Sequence, residues 1–279
     1  MPELPEVQAH AERLEARFAG AVLAAFTPLS FAALKTVLPP PDDAVGHALT
    51  VVRRRAKLLV MQFAEAPTFV VHLMQGGRLK DGDVATKKPR GALARWTFAD
   101  GRALLLTEGG TERKAGVWVV AGDPEDSAPL AGLGPEAHGL DAALLGERLQ
   151  AASARVHTAL RDQHVVAGLG RRLANEVCHR AQLSPFATTR SLDEAALQRL
   201  ADAIRGAIDD SLAHERTLDA MTASKDRPGL VHHRTGEPCL VCGDVIRAVE
   251  YRDYTVEYCA TCQTGGKVLA DNTTSKFLR

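Results

Sequence analysis

Apolar residues recur along the first eighteen positions at spacings of four, three and four, so Val7, Ala11, Leu14 and Phe18 share one face of a helix predicted over 5–18. Pro5 suits its first turn and Gly20 its stop. The period then changes. Ala48 to Phe63, Thr68 to Leu73 and Leu93 to Leu106 are rich in Val, Leu, Phe and Trp and read as strands. Asp100-Gly101, between Trp96-Thr97-Phe98 and Leu104-Leu105-Leu106, is a hairpin turn signal. Several strands after one helix predict a β-sandwich or barrel-like domain. Between 121 and 140 the chain holds Gly122, Pro124, Pro129, Gly132, Gly134, Pro135 and Gly139, the breaker density of a linker. Helical patterning follows from Asp141. A short helix runs from Val156 to Gln163, Gly168-Leu169-Gly170 interrupts, and another runs from Arg171 to Ala181. Ser191 with Glu194 three residues on reads as a capping box. Leu197, Leu200, Ala201, Ile204, Ile208 and Leu212 then form a stripe that belongs to a core.

Composition changes this picture little. The 279 residues carry 34 basic and 34 acidic side chains, so net charge gives no sign of a nucleic-acid partner. The basic residues are clustered, however, as Arg53-Arg54-Arg55-Ala56-Lys57, Lys87-Lys88-Pro89-Arg90 and Arg171-Arg172. Any one of these clusters taken alone reads as a solvated face. No apolar run is long enough to cross a membrane. The acidic start, Met1-Pro2-Glu3-Leu4-Pro5-Glu6, lacks the layout of a signal peptide, so a cytoplasmic location is expected.

Cysteine spacing changes the picture more. Cys239 and Cys242 form one C-x-x-C pair and Cys259 and Cys262 another, sixteen residues apart. Each tight knuckle presents two thiolates, and together they match the four soft ligands of a tetrahedral zinc. Two disulfides are the rival reading, which a reducing cytoplasm disfavours. With all four positions filled by protein, the expected role of the Zn2+ is structural. Cys178, inside a predicted helix, reads as a buried inert thiol.

Two further features carry chemistry. Initiator methionine is commonly removed before proline, which would leave Pro2 as a free secondary amine. An α-amino group titrates at about 7.7–8.0, so a neutral fraction exists near pH 7. Such an amine attacks a sugar carbon and gives an iminium ion, an electron sink for elimination, with Glu3 beside it to move protons and Glu6 one turn on. The same residues also serve simply to start a helix. Likewise, Asp162 to Gly170 ahead of a helix offers backbone N–H groups to a phosphate, with Arg171 and Arg172 adding charge, or is an ordinary interhelical turn.

Together these parts resemble the formamidopyrimidine-DNA glycosylase and endonuclease VIII family. The resemblance rests on Pro2-Glu3-Leu4-Pro5-Glu6-Val7, Arg54-Arg55-Ala56-Lys57, His72-Leu73 with Gly77-Arg78-Leu79, and Leu133-Gly134-Pro135-Glu136. It continues through Asp162 to Gly170 with Ala174-Asn175-Glu176, and ends at Gly236-Glu237-Pro238-Cys239. It implies an α+β chain. An N-terminal catalytic helix plus β-sandwich covers 1–130, a helix–two-turn–helix DNA-binding domain 131–234 and a zinc finger 235–267, followed by a tail, 268–279. It implies DNA held between the two halves, Pro2 as the Schiff-base nucleophile, Glu3 as proton donor, and Lys57 as an acid on a hairpin. Lys57 also reads as a phosphate contact alone. Such enzymes extrude the damaged nucleotide from the stack.

Departures from the family pattern bear on the substrate. Where the family reads His-Leu-Gly-Met-Ser-Gly-Arg-Leu, this chain has Met74 and Gln75 in place of Gly and Met, so Gln75 takes the place of the methionine that fills the emptied stack. Where the family has Asp-Pro-Arg-Arg-Phe-Gly, Thr111 to Gly116 keep charge in Arg113 and Lys114 but put Ala115 for the phenylalanine wedge. Arg171 replaces an asparagine after Gly170, and Tyr254 replaces an arginine five residues before the third cysteine. Arg252, two residues earlier, shares the face of Tyr254 if that segment is extended. Gln75, Arg113, Lys114, Arg171, Asn175 and Arg252 are the expected DNA contacts. The function expected is a DNA repair enzyme, a bifunctional glycosylase and abasic-site lyase. A damaged- or abasic-DNA-binding protein with little turnover is the alternative. The expected partner is damaged double-stranded or locally opened DNA, with no membrane association and a monomeric state.

Overall fold

A computed structural model describes residues 1–83, 88–109, 113–222, 227–252 and 254–269 of the chain. Helix α1 (Leu4–Phe18) starts one residue ahead of its apolar period. The Glu6 carboxylate accepts the Glu3 N–H at 2.9 Å, and Pro5 needs no donor in the first turn. Val7, Ala11, Leu14 and Phe18 are buried, as their spacing requires.

Eight strands follow: β1 (Leu23–Pro28), β2 (Leu49–Arg55), β3 (Leu58–Phe63), β4 (Thr68–His72), β5 (Gly77–Asp83), β6 (Ala92–Phe98), β7 (Arg102–Glu108) and β8 (Gly116–Val120). They make two antiparallel sheets, ordered β1-β6-β7-β5 and β2-β3-β4-β8. Phe26, Trp96 and Leu104 of one sheet share a core with Met61, Phe69, Val71 and Val117 of the other. Trp96 stands edge-on to Phe26 and Phe69 at ring separations of 5.0 and 5.9 Å. Of the β-sandwich or barrel-like domain expected from several strands after one helix, the structure forms the sandwich. The β6–β7 hairpin turns at Asp100-Gly101, where Gly101 has φ +87° and Asp100 accepts the Arg102 N–H at 3.0 Å. The hydrophobic pattern alone does not mark β5, which reads Gly-Arg-Leu-Lys-Asp-Gly-Asp. Its pairing with β7, Leu79 opposite Leu106, sets it in place of intrinsic preference.

The sandwich and α1, residues 1–132, group with residues 215–222 into one compact unit, and residues 133–214 and 223–279 form the other. The second unit contains α2 (Ala142–Ala152), α3 (Val156–Arg161), α4 (Arg171–Arg180), most of α5 (Glu194–Arg216), the hairpin β9 (Ile246–Glu250) and β10 (Thr255–Cys259), and α6 (Ala260–Thr264). Asp141 caps α2, accepting the Leu144 N–H at 2.8 Å. The expected Ser191–Glu194 box does not form. Helix α5 begins at Glu194, so Asp193 is placed to cap it and accepts the Ala196 N–H at 2.7 Å, while Ser191 bonds the Thr188 carbonyl at 2.8 Å.

The end of the glycine- and proline-rich stretch is also more than a linker. Gly134 N–H donates to Gln163 O at 2.8 Å and Ala167 N–H to Pro135 O at 2.9 Å, strapping 133–137 along the turn ahead of α4. A Cβ on Gly134 would lie 2.7 Å from the His164 carbonyl, so only glycine fits there. Among the described residues, no helix is long and apolar enough to cross a membrane.

Candidate active site and metal cluster

In the first unit the candidate catalytic residues lie on elements that lock one another. Pro2 and Glu3 are buried at the start of α1, and Glu3 is 3 % exposed. Lys57, 8 % exposed, lies in the two-residue turn joining β2 and β3, where Ala56 takes φ +53°. Arg54 ties that turn to α1: it donates to the Ala56 carbonyl at 3.0 Å and to Gln8 Oε1 at 3.1 Å. Arg53 and Arg55 both reach Glu125, at 3.3 and 3.0 Å. The basic cluster 53–57 is therefore scaffolding around one lysine rather than a solvated face. Exposed pairs of this kind contribute about 0–1 kcal/mol each, so their effect is on geometry more than stability.

His72 faces this lysine. It pairs with Leu58 across β3–β4, and burial, followed by the Lys57 charge, pushes its pKa down to about 4. Its Nδ1 accepts the Met74 N–H at 2.8 Å, so the neutral ring carries its proton on Nε2. Beyond it Gln75 is exposed in the β4–β5 turn. That turn needs Gly77, whose added Cβ would collide with the Leu73 carbonyl. Arg113 and Lys114 are exposed. Ala115 is 1 % exposed, in the sandwich core, with its N–H on Glu108 Oε2 at 2.8 Å. Lys87, Thr111 and the tail from 270 lie outside the described residues.

In the second unit the two arginines after Gly170 part company. Arg171 opens α4 partly exposed, whereas Arg172 is buried and donates to the Arg227 carbonyl. The glycine turn before them is only partly open to a ligand. Gly168 N–H is taken by Gln163 Oε1 at 2.9 Å, and Gln163 Nε2 donates to Leu169 O at 2.8 Å. Asn175 is fully buried. Its Nδ2 donates to Glu257 Oε2 at 3.1 Å, and Glu257 also holds His232 Nδ1 at 2.7 Å and the His233 N–H at 2.7 Å. Burial raises the Glu257 pKa, but these donors outweigh it and hold the carboxyl below its usual range. Asn175, expected on DNA, thus sits where it fastens β10 to α4. Arg252 is exposed, but it lies in the β9–β10 turn that Tyr251 N–H closes on Tyr254 O at 2.9 Å. Arg252 lies outside β9 and β10, at a bend, whereas the period-two argument that put it on the face of Tyr254 assumed an extended strand. A different cation reaches Tyr254: the Arg161 guanidinium, 4.2 Å from its ring centroid, with Tyr251 stacked at 4.6 Å.

The four cysteines converge. Cys239 and Cys262 sulfurs are 3.9 Å apart, Cys242 and Cys259 3.3 Å, and all four lie within 4.8 Å of one another. A tetrahedral site with metal–sulfur bonds of about 2.3 Å needs sulfurs about 3.8 Å apart, so the donor set fits a metal. Cys178 is apart from it, buried in α4, where burial pushes its thiol up to about 12.

Residues 1–116 match the model of the formamidopyrimidine-DNA glycosylase N-terminal domain, and residues 131–222 that of the formamidopyrimidine-DNA glycosylase H2TH domain. A formamidopyrimidine-DNA glycosylase of Methylobacillus flagellatus is 32% identical over 279 residues, covering 95% of this chain and 97% of the relative. The chain belongs to the formamidopyrimidine-DNA glycosylase family. An uncharacterized formamidopyrimidine-DNA glycosylase-like protein of Mycobacterium tuberculosis is 40% identical over 162 residues, 57% of this chain and all of that protein. The fold is shared with a Lactococcus lactis glycosylase variant solved with Fapy-dG DNA, at TM-score 0.84 and 22% identity, covering 94% of this chain and 100% of that one.

Within this family the chain's altered positions now have physical settings. The residue in the wedge position is a methyl group inside the core. The hairpin position expected to carry arginine carries Tyr254 beneath Arg161. His72 and Arg161 are the residues that sequence reasoning leaves out of its candidate set. The first had a signal in the His72-Leu73 motif. The second had none, because it depends on a ring 93 positions away.

Proposed function

We infer that this chain is a DNA repair enzyme, a DNA glycosylase with coupled abasic-site lyase activity. The observation that carries this is the pairing of a buried Pro2-Glu3 helix start with a lysine turn tied onto the same helix by Arg54. Once Met1 is gone, the Pro2 nitrogen lone pair bonds to the sugar C1′. The bond from C1′ to the base breaks, and the base leaves with that electron pair and takes up a proton. Glu3 protonates the ring oxygen as the sugar opens, and the Pro2–C1′ bond becomes an iminium. Loss of a C2′ proton then expels the 3′ phosphate, and water releases Pro2. Lys57 supplies a proton or holds a phosphate, with neutral His72 as a second N–H donor beside it. Borohydride trapping on an abasic duplex tests the reading, since only an iminium enzyme is reduced onto DNA.

The four cysteines hold one structural zinc: every position is a protein ligand, which leaves none for water or substrate. The DNA backbone is bound by Arg171 and by Arg161, with the Tyr254 ring under the latter's guanidinium supporting it in place of a hairpin arginine. With zero net charge, binding is still electrostatic and local. Log affinity should fall linearly with log salt. Arg171→Ala and Arg161→Ala should each flatten that slope by about one. Unchanged affinity and slope in either variant removes that residue from the phosphate contacts.

Substrate choice follows from Gln75 and Ala115. An apolar wedge offsets the cost of unstacking, and a buried methyl group cannot act as one. The relatives' name points to formamidopyrimidine lesions. This chain should work best where less opening is needed, at abasic sites and in bubbles or single strands. Excision of 8-oxoguanine from a fully paired duplex as fast as from a bubble contradicts this.

A further inference from the structure

Helix α4 reaches the cysteine cluster through one side chain. His179 is 3 % exposed, and its Nε2 lies 3.4 Å from Cys239 Sγ, sixty residues away in the chain. Its Nδ1 is buried with no hydrogen-bond partner among the described residues. These two facts select the tautomer. A proton on Nδ1 would bury an unmatched N–H and turn the Nε2 lone pair toward sulfur. A proton on Nε2 makes an N–H···S bond and leaves only an acceptor unmatched, the less costly arrangement. Four thiolates around a dication would leave a net charge of two minus in a small, partly buried space, so each N–H aimed at a sulfur stabilises the cluster. Cys239 receives a second one, the Val241 N–H at 3.5 Å.

We propose that His179 is a positioning residue for the metal, donating from Nε2 to the bound Cys239 thiolate and joining α4 to the cluster. The proposal rests on the reading that the four cysteines bind zinc. It names a residue outside the ligand set, on a different element, as a determinant of metal affinity. Partners of this kind fix the orientation and basicity of a ligand, and their loss typically weakens metal binding about 10–100-fold.

Full-length protein loaded with Co2+ provides the test. Wild type should show thiolate-to-cobalt charge-transfer absorption. In His179→Phe that absorption should move to longer wavelength, because a sulfur without the hydrogen bond releases its electrons more readily. Zinc affinity, measured against a competing chelator, should fall about 10–100-fold in the same variant. His179→Gln, which keeps an N–H at similar reach, should stay close to wild type in both. A His179→Phe protein with wild-type spectrum and zinc affinity overturns the proposal, and so does a His179→Gln protein shifted as far as His179→Phe. Absence of thiolate bands in wild type is a distinguishable failure: it refutes metal binding by the four cysteines, and the His179 role falls with it.

Discussion

Protein with an uncleaved tag ahead of Pro2 should give no borohydride-trapped adduct on abasic DNA, whereas the mature form with Pro2 exposed should be trapped efficiently. The effect is all-or-none because acylation turns the proline nitrogen into an amide, whose lone pair is delocalised and cannot attack. The fold should not notice the change, since α1 starts beyond Pro2 and its packing face is Val7 to Phe18. Glu3→Gln should separate the two activities. Base excision needs a proton delivered as the bond to the sugar breaks, and loss of a positioned acid costs about 10²–10⁴-fold. A preformed abasic site already offers an aldehyde to the amine, so strand cleavage there should fall much less. Glu6→Gln keeps an acceptor for the Glu3 N–H and should leave both steps closer to wild type. Equal trapping by the blocked and mature forms makes the nucleophile a lysine, with Lys57 the first suspect, and ends the Pro2 mechanism.

Removing the metal should be the most damaging change to the fold. The apolar groups around the cluster are few: Val231, Cys239, Ile246 and Cys259 in one patch, Val249, Tyr258 and Ala260 in another. So small a core does not hold a hairpin by itself. In zinc-finger peptides the metal contributes an apparent free energy of about 10–16 kcal/mol near pH 7. Purified protein should carry about one zinc per chain. Cys259→Ser, or a strong chelator, should release it and unfold the β9–β10 hairpin. With β10 goes Glu257, and with Glu257 the contact that holds Asn175 and His232, so DNA affinity should collapse together with metal content. A Cys259→Ser protein that keeps full zinc and full DNA affinity refutes the assignment. The measurements are metal content by emission spectroscopy and DNA binding by anisotropy on the same samples.

Features that the sequence makes legible are those whose signal is local. The α1 period, the Asp100-Gly101 hairpin and the two C-x-x-C knuckles each need only a few adjacent residues to identify. What stays hidden depends on partners far along the chain. Arg54 reads as surface charge until Gln8 is found 46 positions away, and Asn175 reads as a DNA contact until Glu257 is found 82 positions away. His179 and Cys239 are 60 apart. In each case a polar side chain meets a partner that the sequence alone does not reveal. The substitution of Ala115 is visible in the sequence as a lost ring, but its burial in the sandwich core is visible only in the fold. The family's chemistry is therefore easier to read than its fine specificity, because the first rests on a chain start and short motifs and the second on packing.

The path of the chain also fixes an order of events during synthesis. The first unit is not complete when residue 132 has been made, for residues 215–222 belong to it. Arg13 on α1 donates to the carbonyls of Glu215 and Leu218, Arg216 pairs with Glu12, and Met221 enters the sandwich core. This segment, residues 215–222, is made 83 to 90 residues after Gly132, which at about 5–20 residues per second is a delay of about 5–20 s. Through that interval the nascent sandwich waits with one side of α1 uncovered, while the helices of the second unit emerge. The unit that is begun first is therefore closed only when residue 222 has been made, and α1 is the element that waits.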